Sequence, residues 1–310
     1  MSTDDAIIKW LLRGDPAIRW QVFQDLLHTP AAETRIEREK TVVKGWGARI
    51  LEHQLADGFF GGGLYNPKWI STTYSLLLLR RIGIPPKTKS IQKSCQILLE
   101  KGLYRDGGIN YFKTMSNSET CVTGMVLSLL SYFHYETDRY DLLINYLLKE
   151  QMTDGGWNCR RYLRATHGSF HTTINVLEGL AEYLRLRNDR REEIHSARDK
   201  AVEFLLQHRL FRSHRTGKIV NSAMTRLSFP PRWRYDILRA LDYFRESKIS
   251  YDIRMKEALD LVHKKRLPDG RWPLQQRYPG RTYFEMEKVG EPSRWNTLRA
   301  LRVLKWLTNP

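Results

Sequence analysis

The sequence predicts an all-α protein, an (α/α)6 barrel in which outer and inner helices alternate along the chain. Three observations lead there. A polar turn containing Asp-Gly recurs, at Asp57-Gly58, Asp106-Gly107, Asp154-Gly155 and Asp269-Gly270. The first three copies are 49 and 48 residues apart, and the last follows after 115, so one degenerate copy is expected inside that double interval. Between turns, amphipathic helices alternate with helices that are apolar on most faces. A helix of the second kind must be buried on most sides, so the alternation describes two concentric shells.

The elements follow in order. Residues 4–12 form a short first helix, and Arg19-Trp20-Gln21-Val22 opens the inner helix 16–28. Helix 34–54 runs into the first turn, His53 to Phe59, and helix 70–82 opens on Trp69-Ile70-Ser71-Thr72-Thr73-Tyr74. Helices 88–101 and 117–134 flank the second turn, Tyr104 to Gly108, and the inner member carries the apolar run Val126-Leu127-Ser128-Leu129-Leu130. Helices 139–151 and 170–186 flank Gln151-Met152-Thr153-Asp154-Gly155-Gly156-Trp157, the sharpest copy. Helix 192–208 puts Ala197, Ala201, Phe204 and Leu205 on one face, with Arg198, Lys200 and Glu203 beside them. Ser213 to Gly217 after it supplies the degenerate turn before helix 233–246. Helices 252–265 and 294–307 flank the last copy, Leu267 to Trp272, and Pro230-Pro231 and Pro292 fix the entries to the last two inner helices. In each turn Gly accepts the positive φ at which a helix stops, and Asp can hold nearby backbone amides. Trp157 and Trp272 are placed to plug helix ends. No Pro-, Gly- or Ser-rich linker interrupts residues 1–310, which are read as a single domain.

The chain carries 51 Lys and Arg against 34 Asp and Glu, a net charge of +17. That excess attracts anions, including phosphates and an anionic membrane surface at its periphery. The basic residues are scattered, with no basic tail or RNA-binding signature, which argues against nucleic acid as a partner. Three cysteines, Cys95, Cys121 and Cys159, form no close C-x-x-C pair, and the polar N-terminus shows no signal peptide. The expected location is a reducing cytoplasm. The longest apolar run, Tyr74 to Leu79, is far short of the roughly 20 residues a bilayer span requires.

In such a barrel the starts of the inner helices gather at one end of the central cavity and present free N–H groups and partial positive charge. Candidate site residues are therefore sought there. Cys159, His167 and His171 form a zinc-competent set with room for a fourth ligand. Their alternative is structural: Cys159 packs under Trp157 and the histidines hold a helix start. Arg234 and Arg294 suit a phosphate or carboxylate, and Trp69, Trp233, Tyr235 and Trp295 suit a ring or an isoprenoid. These too have an ordinary reading, as Arg–Asp mortar and plugs at the barrel ends. Glu119, Asp236 and Glu178 are candidate acids, and Asp236 is alternatively an Arg partner. Glu178 lies in an apolar stretch where burial would raise its pKa; equally, it pairs with a neighbouring Arg or lies on an exposed face. Glu285 belongs to the long loop 267–292, a candidate lid.

The segment Gln151-x2-Asp154-Gly155-Gly156-Trp157 closely resembles the Q-x-x-D-G-x-W repeat of squalene and oxidosqualene cyclases, and the copies at 54–59 and 269–272 support it. Across nearly its whole length the chain is similar to the α/α toroid of those terpenoid cyclases and of protein prenyltransferase β subunits. It also looks like short bacterial squalene-cyclase-like proteins. The resemblance implies a toroid with a ligand cavity at its centre. The D-x-D-D motif that initiates cyclisation by protonation is absent, as are the D-D-x-x-D motif of prenyl-diphosphate chemistry and the D-x-C pair of prenyltransferase zinc sites. Three readings follow. The chain binds, or acts on, an isoprenoid or another anionic or apolar small molecule. It is a zinc-assisted or sugar-acid-directed enzyme on the same barrel, as toroidal lanthipeptide cyclases place zinc on Cys and His. Or it is a non-catalytic binder.

Overall fold

A computed structural model describes residues 3–112 and 114–308 of the chain. It contains thirteen α-helices among those residues and no strands, only isolated bridges at the turns. The outer shell consists of α1 (Thr3–Leu12), α3 (Ala31–Val43) with α4 (Gly45–Leu51), α6 (Lys89–Glu100), α8 (Tyr140–Lys149), α10 (Arg191–Gln207) and α12 (Lys256–Lys264). The inner shell consists of α2 (Pro16–Val22), α5 (Thr72–Ile82), α7 (Thr120–Tyr132), α9 (Phe170–Leu186), α11 (Ile237–Glu246) and α13 (Arg294–Thr308). The six inner helices close on themselves. Trp20 Nε1 donates to the Ile82 carbonyl at 2.8 Å, joining α2 to α5. α5 packs on α7 and α7 on α9; Arg239 of α11 reaches Glu178 of α9 at 2.8 Å, and α11 packs on α13. Arg302 on α13 completes the circle at Gln21 on α2, 3.0 Å away. The fold is the (α/α)6 barrel that alternation of half-buried and fully buried helices predicts.

The four Asp-Gly turns share one construction. The Asp carboxylate accepts the amide two residues on, at 3.0–3.1 Å in Asp57, Asp106, Asp154 and Asp269. The glycine takes φ between 84° and 92°. A threonine of the following inner helix accepts the amide after the turn: Thr72 from Phe60, Thr123 from Ile109, Thr173 from Trp157 and Thr297 from Trp272, at 2.9–3.1 Å. These tethers explain why Ser and Thr recur at the inner-helix starts. Trp157 and Trp272 are fully buried plugs whose indoles donate back to the Leu147 and Val262 carbonyls of the preceding outer helices, both at 2.7 Å.

Three element boundaries differ from expectation, each for a local reason. Helix 34–54 is broken, because Lys44 is extended and Gly45 turns at φ 73°. A side chain at Gly45 would collide with the Asp15 carboxylate, which caps α2 through Ala17 and also accepts the Trp46 amide at 2.8 Å. The first inner helix ends in a π-helical turn, Phe23–Leu27, before left-handed His28. The helix expected from 233 starts at Ile237, because Asp236 is its N-cap and accepts the Arg239 amide. Residues 232–235 are therefore loop, free to face the barrel end. The loop 267–292 is pinned across α5: Trp69 and Arg281 exchange backbone bonds with Arg281 and Lys68 at 2.7 and 2.8 Å, and the Tyr283 hydroxyl donates to Ile70. Among the described residues no helix is long and apolar enough to cross a membrane.

Candidate functional site

The loops before α5 and α11 and the starts of α7 and α9 line an open hollow of about 510 Å³, within the usual range for small-molecule sites. Its walls have three chemistries. Tyr65, Phe112 and Trp233 supply aromatic surface, with Tyr65 and Phe112 edge to face at 5.4 Å. Lys68 and Arg160 supply cations, and the Lys68 ammonium lies 5.2 Å from the Tyr65 ring and 5.9 Å from that of Trp233. Glu119, His171, Cys121 and Cys159 supply groups that move protons or electrons.

Glu119 precedes the first residue of α7 without capping it, and its carboxyl makes no side-chain hydrogen bond among the described residues. Burial raises its pKa, and Lys68 opposes the rise. His171 is pushed down to about 4, by burial first and then by the charges of Arg234 and Arg239. Its ring is neutral at pH 7. Nδ1 accepts the Tyr235 amide at 2.9 Å, so the proton sits on Nε2, which is free to donate. Cys159 Sγ accepts the Cys121 amide at 3.1 Å and the Thr172 hydroxyl at 3.4 Å. A hydrogen bond from the Cys121 thiol is the strongest influence holding the Cys159 pKa below the ordinary thiol value, while Cys121 itself is pushed up.

Of the residues singled out in the sequence, Glu119, Cys159, His171 and Trp233 line this cavity. The zinc set does not assemble. The His167 side chain is exposed and outside the cavity, His171 uses Nδ1 on Tyr235, and Cys159 is hydrogen-bonded to Cys121 and Thr172. No three His, Cys, Asp or Glu among the described residues are grouped to hold a metal. Of the readings open for Glu178, the structure shows arginine pairing and not a raised pKa. Burial pushes it up, but Arg239 and Arg81, each with a guanidinium nitrogen 2.8 Å away, and Arg80 pull it well below the carboxylate range. It lies mid-way along α9, within an ionic network rather than an apolar pocket. Asp236 is the α11 cap, fully buried, and also accepts the Ser228 hydroxyl at 2.8 Å, so a structural bond holds each oxygen.

The remaining candidates lie around the cavity rather than in it. Tyr235 is buried and donates to Leu210. Arg234 stacks between Trp233 and Tyr278, at 4.6 and 4.9 Å. Trp69 is covered by the 267–292 loop and donates to the Tyr278 and Pro279 carbonyls. Arg294 lies over Trp10, on the outer side of α13. Trp295 stacks on Phe229 at 4.1 Å and faces a different hollow, the central shaft. Glu285 is exposed and paired with Arg277. Sequence reasoning missed Tyr65, Lys68 and Phe112, which come from loops without a recurring motif, and Asn158, which follows the sharpest turn directly. The available signals were the flagged Trp69, just after Tyr65 and Lys68, and the flagged Cys159, just after Asn158.

No family model matches the chain, and no curated protein does. Among solved structures the chain is similar to a protein from Actinoplanes, at 14% identity and TM-score 0.52, over 99% of this chain and 100% of that one. It is also similar to the type II terpene cyclase MstE from Scytonema, at 16% identity and TM-score 0.47, over 97% of this chain and 96% of that one. A variant of that cyclase in complex with geranylgeranyl dihydroxybenzoate aligns at the same score. The likeness to the Actinoplanes protein is one of fold, a helical architecture shared from end to end.

Proposed function

We propose that the chain binds a small molecule with an apolar, unsaturated body and an oxygen-rich anionic head, of the isoprenoid type, in the cavity at the inner-helix starts. The observation that carries this reading is the composition of that one cavity: aromatic faces, two cations and a neutral imidazole donor around about 510 Å³. Tyr65, Phe112 and Trp233 would hold the apolar body. Their faces also favour positive charge, as the position of Lys68 over two of them illustrates. Lys68, Arg160 and His171 Nε2–H would hold the head. Glu119, whose carboxyl has no competing hydrogen bond among the described residues and a raised pKa, would serve as the proton donor if the bound molecule reacts.

The test is thermal stabilisation and tryptophan-fluorescence titration with a prenyl diphosphate, against inorganic diphosphate and glucuronate as headgroup controls. The prenyl compound is expected to bind at least tenfold more tightly than either control, and Trp233→Ala to remove that advantage. Equal binding of glucuronate, or an unchanged advantage in Trp233→Ala, would sink the reading. Turnover, if found, should fall on Glu119→Gln with binding retained.

A further inference from the structure

The ring holds a second hollow, a shaft of about 330 Å³ running from Phe229 and Trp295 toward the C-terminal turns of the inner helices. Its wall is ionic, with seven cationic side chains against five carboxylates. Much of that charge is paired. Arg80 meets Glu182 at 2.6 Å, and Arg302 is shared by Asp242 and Asp25. The surplus is identifiable residue by residue. Arg38 donates to the Gly83 and Ile84 carbonyls and the Tyr132 hydroxyl, and to no carboxylate. Lys248, just past α11, has no carboxylate within ion-pair distance among the described residues. Arg81 has only Glu178, which it shares with Arg80 and with Arg239 behind the wall. Arg299, 3% exposed, does not belong to the surplus: Asp236 and Asp242 oxygens lie 3.6 and 3.7 Å from its guanidinium.

Helix C-termini bring partial negative charge to this end of the barrel. Arg38 and Lys305 answer part of it, on the Gly83 and Leu26 carbonyls. Glu178 nevertheless faces three guanidiniums, and burial together with Arg239 and Arg80 brings Arg81 down to about 10. Cations in excess around one hollow repel one another unless an anion joins them; here Arg38 and Arg81 are half-buried and Lys248 is exposed at the mouth. We infer that the shaft is an anion site for a small polyvalent oxyanion of the phosphate or diphosphate class, seated among Arg38, Arg81 and Lys248. Guanidinium forks match tetrahedral oxyanions by paired donation, and the hollow is large enough for a diphosphate. This site is separate from the aromatic cavity at the inner-helix starts and does not depend on what that cavity binds.

The experiment is calorimetric titration of the whole protein with inorganic diphosphate, with sodium chloride at matched ionic strength as baseline and malonate as a dicarboxylate control. It is repeated on Lys248→Ala, an exposed position, and on Lys218→Ala, an exposed lysine that lines neither hollow. Wild type and Lys218→Ala should bind diphosphate alike. Lys248→Ala should bind about tenfold more weakly, the scale expected for one charge-assisted hydrogen bond. No binding beyond the chloride baseline would overturn the inference. So would equal affinity in Lys248→Ala, an equal loss in Lys218→Ala, or malonate binding as tightly as diphosphate.

Discussion

Cys159 is the residue whose surroundings depart most from those of its own kind. Cys95 is fully buried and its thiol is pushed up by burial alone. Cys159 lines a cavity and collects hydrogen bonds from the first turn of α7 and from Thr172, donors that favour the thiolate. Iodoacetamide under native conditions at pH 7.5 should modify Cys159 first, as read by peptide mass spectrometry, with Cys95 modified only after unfolding. Modification in the reverse order would contradict the hydrogen-bond arrangement. Residue identity was legible in the sequence at this scale, and role often was not. Asp236 reads as an acid in the sequence and acts as a helix cap, because Ser228 and the Arg239 amide occupy its oxygens. Glu178 reads equally as a buried acid or an arginine partner, and the structure makes it a counter-ion of Arg81 and Arg239, which come from helices that no local pattern connects to it.

Between elements, the closest approach is that of α7 to α9. Gly124 faces the backbone of Asn175 and Val176 there, and a methyl group at Gly179 would run into the Gly124 carbonyl. Gly179→Ala should therefore destabilise the protein by about 1–3 kcal/mol, despite alanine's better helix propensity. Urea unfolding measures this; a neutral or stabilising result would mean that the two helices separate at little cost. The helix pairs were readable because the Asp-Gly turn and its threonine tether are local chemistry that repeats. The break at Gly45 and the late start of α11 were not readable from periodicity. Each depends on an aspartate acting as cap, Asp15 from another element in the first case and Asp236 in the second. The cavity between elements was half readable. The cavity lies at the inner-helix starts that the sequence pointed to, but the loops that bring Tyr65 and Phe112 to it carry no periodic signal.

At the scale of the molecule, the ionic shaft sets the response to acid. Burial would raise Asp242, but Arg302 and Arg245 outweigh it and lower its pKa from 3.8 to about 2. Glu178 is lowered in the same direction by its own arginines. A carboxylate lowered on folding stabilises fully above its unfolded pKa, and the contribution is lost as pH falls through the folded value. Stability from these groups should be flat from pH 7 to about 4.5 and decline below it. Asp242→Asn should be less stable at pH 7 and show a shallower loss toward pH 2, read as melting temperature against pH. An unchanged acid slope in Asp242→Asn would place the acid sensitivity elsewhere. The meeting of α13 with α2 has a further consequence. Arg302 and Gln21 are 281 positions apart, so the contact that shuts the circle is among the most distant in the chain. During synthesis the buried side of α2 has no permanent neighbour on that flank until residues 294–308 leave the ribosome. The nascent polypeptide must carry an open, sticky crescent for most of its translation, which makes this seam the place where a chaperone or an early aggregate would take hold.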